Sequence, residues 1–191
     1  MFKSLFGKKK GRGSKPGDAP KDDSIRSAGV GDVVVILGFS PTLDDATFLI
    51  ESKSRLESDF GNAYELTAVD GDRKVSIEWS NGDDLSILVT EHGEKIQLSE
   101  IGVDEDKLVR MDNKKSTDNF VEHQGQQFFY RNSYEVSYFK DSGPAMEGFY
   151  MWDFGSEDDQ QAISVVKWEG IPFEVYASKA LSPDVVSVYK K

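Results

Sequence analysis

Few residue types in this 191-residue chain could carry chemistry, and their spacing argues against most of it. There is no cysteine, so thiolate nucleophiles, disulfides and sulfur ligands are excluded. The two histidines, His92 and His123, stand beside a glycine turn or a loop. A zinc site needs more nitrogen or sulfur ligands than two imidazoles, and nothing in the spacing makes these two converge. Acidic runs recur at Asp44-Asp45, Asp70 and Asp72, Asp83-Asp84, Asp104 to Asp106, and Glu157 to Asp159. None has the alternating oxygens, central glycine and terminal glutamate of a calcium loop. They read as turn residues, because Asp accepts backbone hydrogen bonds and tolerates left-handed dihedrals. No glycine-flanked serine elbow, Walker loop or dinucleotide glycine pattern is present. The residues therefore point to no catalytic group, metal or cofactor, and the balance leans away from an enzyme.

Aromatic residues supply the candidate binding feature. Tyr130, Tyr134 and Tyr138 share one parity with Phe128 and Val136, while Tyr150 and Trp152 alternate towards Phe154. Such a band is either a stacking face for a partner or ligand, or the apolar side of a strand turned to a core. A rival site would use a cleft between two halves of the chain, bringing Glu78, Trp79, Lys167 and Trp168 together as an enzyme or small-ligand pocket.

The elements that would position these residues are strands. Val33 to Leu37 is a continuous apolar run, Thr47 to Ser52 and Ala63 to Val69 follow, and Val75, Ile77 and Trp79 alternate with Ser76, Glu78 and Ser80. Asp70-Gly71, Asn81-Gly82 and His92-Gly93 mark turns between them. One helical turn is expected within Asp104 to Met111. A hairpin ending its first strand at Trp79 is echoed at Ile163 to Val175 around Trp168, and this echo reads either as internal duplication or as a coincidence of meander patterns. The expectation is a mostly β protein, in antiparallel meander sheets or a barrel-like sandwich from two related halves. Its division is a basic tail and linker at 1–28, a first half at 29–111, a connector at 112–119 and a second half at 120–191, the halves packing as one domain or two.

Charge divides the chain as well. Lys3, Lys8, Lys9, Lys10, Arg12 and Lys15 put six basic residues and no acid into residues 1–15, so the remainder carries 17 basic against 34 acidic residues. A body that acidic repels phosphate backbones, which argues against nucleic acid. Phe2, Leu5 and Phe6 share a helical face before Lys8, Lys9 and Lys10. The tail is read as a short amphipathic anchor for an anionic membrane surface or as a solvated, disordered segment. No apolar run is long enough to span a bilayer.

Gly31-Asp32-Val33, Tyr64-Glu65-Leu66, the strand ending at Trp79, Trp168-Glu169-Gly170, Phe173-Glu174-Val175 and Ser182-Pro183-Asp184 resemble a bacterial domain-of-unknown-function family (4178-type) over roughly residues 28 to 189. Gly61 and Asn62 depart from it, where a tryptophan often precedes the equivalent of Tyr64. The resemblance implies a β-rich accessory protein encoded beside membrane-stress genes of the phage-shock kind, with no established catalytic residues. The resulting expectation is a non-enzymatic adaptor, cytoplasmic and peripheral to the inner membrane. It would bind a protein partner of the phage-shock-like, membrane-remodelling kind, and anionic lipid through its tail.

Overall fold

The computed structural model describes residues 24–39, 45–80, 85–93 and 95–191. Its strands are β1 (Val33–Ile36), β2 (Ala46–Ser58), β3 (Gly61–Asp70), β4 (Arg73–Ser80), β5 (Ile87–His92), β6 (Phe120–His123), β7 (Gln126–Phe139), β8 (Glu147–Gly155), β9 (Gln161–Trp168), β10 (Glu174–Leu181) and β11 (Val186–Tyr189), with one α-helix, α1 (Glu105–Lys114). All join one antiparallel sheet in the order β11-β1-β2-β3-β4-β5-β10-β9-β8-β7-β6. A further pairing of β2 with β7, through Leu56 opposite Tyr138, closes the eight strands from β2 round to β7 into a ring. The mostly β, antiparallel expectation is met, and the two halves share a single sheet, joined at β2–β7 and at β5–β10.

The halves repeat one plan. Val34 pairs with Phe48 and Val121 with Phe128; Leu56 pairs with Ala63 and Val136 with Phe149; Leu66 pairs with Ile77 and Trp152 with Val165. Strands β1 to β5 are thus matched by β6 to β10, and a pseudo-two-fold relation exchanges the halves. Both long strands carry an irregularity at the same place, between Ile50 and Ser52 in β2 and between Tyr130 and Asn132 in β7. An extra residue in a period-two strand reverses which face every later side chain occupies. Before the bulge each strand packs its apolar residues outside the ring, and beyond it the same parity points inward.

Three cores result. Phe48, Ile50, Leu66, Ile77, Trp79 and Val89 pack outside the ring beneath β1 and β11. Phe128, Tyr130, Trp152, Phe154, Ile163 and Val175 form the matching outer core, covered by α1 through Leu108 and Met111. Leu56, Val136, Phe149, Met151 and Val166 lie inside, with Ala63, Tyr134, Tyr138, Trp168 and Tyr176.

Three sequence expectations are corrected here. The helix runs ten residues, because the Asp104 side chain accepts from Lys107 N at 2.7 Å and Leu108 and Met111 both find core partners. Phe128 and Tyr130 do not share a face with Tyr134, Val136 and Tyr138, because the bulge lies between them. Trp79 and Trp168 are not equivalent: Tyr64 opposes Trp79 while its counterpart Tyr150 opposes Lys167, so the echo is one residue out of register.

Candidate functional site

Beside its apolar cluster the interior of the ring holds a set of acids and hydroxyls. β3 sends in Glu65, β4 sends in Ser76 and Glu78, and β8 sends in Asp153 from beside Met151. Asp153 is the best satisfied: Tyr134 Oη donates to its Oδ2 at 2.6 Å and Ser164 Oγ to its Oδ1 at 2.8 Å. Burial nevertheless raises its pKa above the usual carboxylate range, and the same burial, with Asp153 beside it, pushes the Tyr134 hydroxyl far above its own. Glu65 accepts from Tyr138 Oη at 3.4 Å, and Ser76 beside it, whose Oγ is 2.8 Å from Nε2 of the exposed His92, acts to lower the Glu65 pKa. Its pKa is raised by burial all the same.

Glu78 has no such support. No hydrogen bond reaches its carboxyl among the described residues, and its charged neighbours are the acids Asp153 and Glu65. Burial first, then those two negative charges, push its pKa up to about 8. The group is surrounded by protein yet keeps part of its surface free, because it lines a cavity of about 40 Å³ together with Leu56, Ser58, Gly61, Ala63, Tyr134, Val136 and Met151. Above it the β2–β3 hairpin carries Phe60, 59 % exposed, edge-on to Tyr134 at 5.0 Å between ring centroids. A broader concavity of about 640 Å³ adjoins at Ser58 and Val136, with Glu57, Asp59, Glu135, Glu169 and Lys167 on its walls.

The pseudo-two-fold relation shows what is particular about this end. Phe149 stands where Ala63 stands, and Val166 where Glu78 stands. Phe149 packs on Trp168 at 4.4 Å, and Tyr138 on Trp168 at 5.7 Å, so these positions are filled by aromatic rings. Trp168 donates its Nε1 hydrogen to Glu174, which also accepts from Tyr176.

The aromatic band named from the sequence is divided by these cores. Tyr130 is 2 % exposed and Trp152 6 %, both with Tyr150 in the outer core beside α1, where Tyr150 Oη donates to Asp112 at 3.0 Å. Tyr134 and Tyr138 are inside the ring. The cleft grouping also separates. Glu78 and Trp168 face the interior, whereas Trp79 is sealed in an outer core against Tyr64 at 5.5 Å. Lys167 turns outward and donates to the Ile171 carbonyl. Phe2, Leu5, Phe6, Lys8, Lys9 and Lys10 lie outside the described residues. Among the described residues no group of three or more metal-ligating side chains converges, and no helix is long and apolar enough to cross a membrane.

Against known proteins, residues 37–183 match a family model described as a domain of unknown function, DUF4178. The chain belongs to the DUF4178 family. The match takes in all eight ring strands and leaves β1 and β11 outside. No curated protein and no solved structure matches the chain.

Proposed function

We propose that this DUF4178 protein is a non-enzymatic binding protein that admits a small ligand to its ring at the Ala63 and Glu78 end. The observation that supports the reading is the Glu78 carboxyl, held without a hydrogen-bond donor on the wall of a cavity beneath the β2–β3 hairpin. A carboxyl on a cavity wall that takes no donor from the protein is free to accept one from a group that enters the cavity. Ligand-observed NMR on the full chain, with a mixed set of neutral, cationic and anionic fragments, tests it. Saturable binding that perturbs Tyr134 and Met151 is expected; failure of every class to bind ends the reading.

A second reading is the adaptor role, favoured by the ends of the sheet. β11 and β6 each pair on one side only, and each exposes an aromatic residue, Tyr189 at 61 % and Phe120 at 39 %. Unpaired edges accept an added strand from a protein partner. In this reading the protein serves a membrane-stress or remodelling system, its tail resting on anionic lipid at the inner membrane. Sedimentation with anionic vesicles tests the lipid contact, which is wrong if deleting residues 1–15 leaves binding unchanged. For the protein contact, amide exchange in the native membrane fraction should show added protection at β6 or β11, and unchanged exchange at both removes it.

A further inference from the structure

We infer that the cavity beneath the β2–β3 hairpin holds the head of a small organic cation, an alkylammonium, with Glu78 as its counter-ion and Tyr134 as its aromatic wall. The inference rests on the binding reading above and gives that site its charge and size.

The charge follows from what surrounds Glu78. Both charged neighbours are carboxyls, and the described lining residues of the cavity include no Lys or Arg. Asp153 is held by Tyr134 and Ser164, so the one acid with free acceptor capacity towards the cavity is Glu78. An entering cation relieves the repulsion that an anion or a neutral polar group would leave in place.

The kind of cation follows from the walls. Leu56, Ala63, Val136 and Met151 offer carbon, and the described residues bring no ring of oxygens together, which disfavours small, strongly hydrated metal ions. A weakly hydrated ammonium on a carbon stem suits such walls, and aromatic rings attract it through their faces. At about 40 Å³ the cavity has room for the head group, with the stem directed past Ser58 and Val136 into the broader concavity.

The pseudo-symmetry supplies an internal comparison. In the other half Phe149 and Val166 occupy the equivalent positions and fill them with carbon. The ring itself therefore does not require an opening there. Ala63 in place of an aromatic ring and Glu78 in place of an aliphatic one create it together.

Titration calorimetry of the full chain at pH 7 with n-butylammonium chloride, repeated in two buffers of different ionisation enthalpy, tests the assignment, with butan-1-ol as the neutral isostere. Saturable butylammonium binding is expected, with release of up to about one proton per site as Glu78 ionises, and binding of the alcohol weaker by about tenfold or more. Glu78→Gln, nearly isosteric, should weaken butylammonium binding by about tenfold or more and abolish the proton release. Its folding is verified by circular dichroism. Equal binding of the alcohol, or unchanged binding by Glu78→Gln, overturns the cation assignment and leaves the ligand-binding reading standing. If neither probe binds and the fragment set also fails, both fall together; if neither probe binds but another fragment class does, the cation assignment alone falls.

Discussion

Glu65 and Glu78 are direct cross-strand partners in the β3–β4 ladder, and both turn inside the ring. Like charges opposed across a ladder repel, and burial raises the cost of charging either one. Burial first, then the charges of Asp153 and Glu65, push the Glu78 pKa up to about 8 against the ordinary 4.5, so at neutral pH the pair is relieved by a proton on Glu78.

A raised folded-state pKa means that the protonated form is the one the fold prefers. The contribution of Glu78 is fully present below its unfolded value near 4.5 and is lost as pH rises towards 8. Asp153 and Glu65, both raised by burial, act in the same direction; Lys74 partly offsets Glu65, and Tyr134 stays protonated throughout. Urea unfolding of the free protein between pH 5 and pH 9 should show stability falling with pH. Glu78→Gln should flatten that slope and gain on the order of a few kcal/mol at pH 8. An identical slope in the variant would show that Glu78 ionises as freely in the fold as out of it.

Asp32 supplies the opposite limb. Its carboxylate accepts from Gly29 N at 2.8 Å, Lys190 Nζ at 3.0 Å and Lys191 N at 3.2 Å, tying the end of the chain to the turn before β1. The Lys190 contact is the largest cause holding its pKa below the usual value. That stabilisation is present above the unfolded pKa and is lost as pH falls through the lowered folded one. Asp32→Asn should lower thermal stability at pH 7, and the gap to the parent protein should close as the pH approaches 2. A gap that persists in acid would assign the loss to packing.

The bulge in β7 makes a sharper structural prediction. Arg131 sits at the irregularity, and its Nη2 donates to the Ser156 carbonyl at 2.9 Å and to Asp159 at 2.6 Å. Asp159 is largely exposed, so Arg131→Ala should cost about 1 kcal/mol or less in a denaturant melt. Deleting residue 131 altogether should prevent folding. Without the extra residue Tyr134, Val136 and Tyr138 would leave the interior for the outer face. If the deletion variant folds normally, the bulge does not set the register of β7.

The same bulge explains where the sequence stopped being legible. Turn residues and alternation were enough for an antiparallel meander in two similar halves, because each hairpin is a local matter of a few residues. Ring closure was not, since it rests on Leu56 meeting Tyr138 far along the chain and on single extra residues at Glu51 and Arg131 that composition does not advertise. The sequence places Glu78 on the wet side of an alternating strand and in a cleft grouping with Trp79, Lys167 and Trp168 that the fold divides, and whether a wet face meets solvent or encloses a lumen is decided by strands elsewhere. A weak signal did exist. The polar positions of β9 and β10 carry Ser164, Tyr176 and Ser178, where a solvated face would favour long charged side chains.

The two tryptophans of the echoed hairpin give a last test of the repeat. If Trp79 and Trp168 were counterparts, the same substitution at each would have similar consequences. The register instead makes Trp79 the counterpart of Lys167 and leaves Trp168 on the opposite face of its strand. Trp79 is 1 % exposed, stacked on Tyr64 and approached by Lys53 Nζ at 5.2 Å, so Trp79→Ala opens a void in a closed core and should cost about 3–5 kcal/mol. Trp168 is only partly buried and donates to Glu174. Trp168→Phe keeps most of its contact with Phe149 and Tyr138 and gives up one hydrogen bond, a loss of about 1–2 kcal/mol. Trp79→Phe, at a site with no hydrogen-bonded indole, should differ from Trp79→Ala by most of the cavity cost. Equilibrium unfolding of the three variants separates the cases, and equal losses for Trp79→Phe and Trp168→Phe, both larger than 3 kcal/mol on the scale expected for an opened core, would restore the two residues as counterparts.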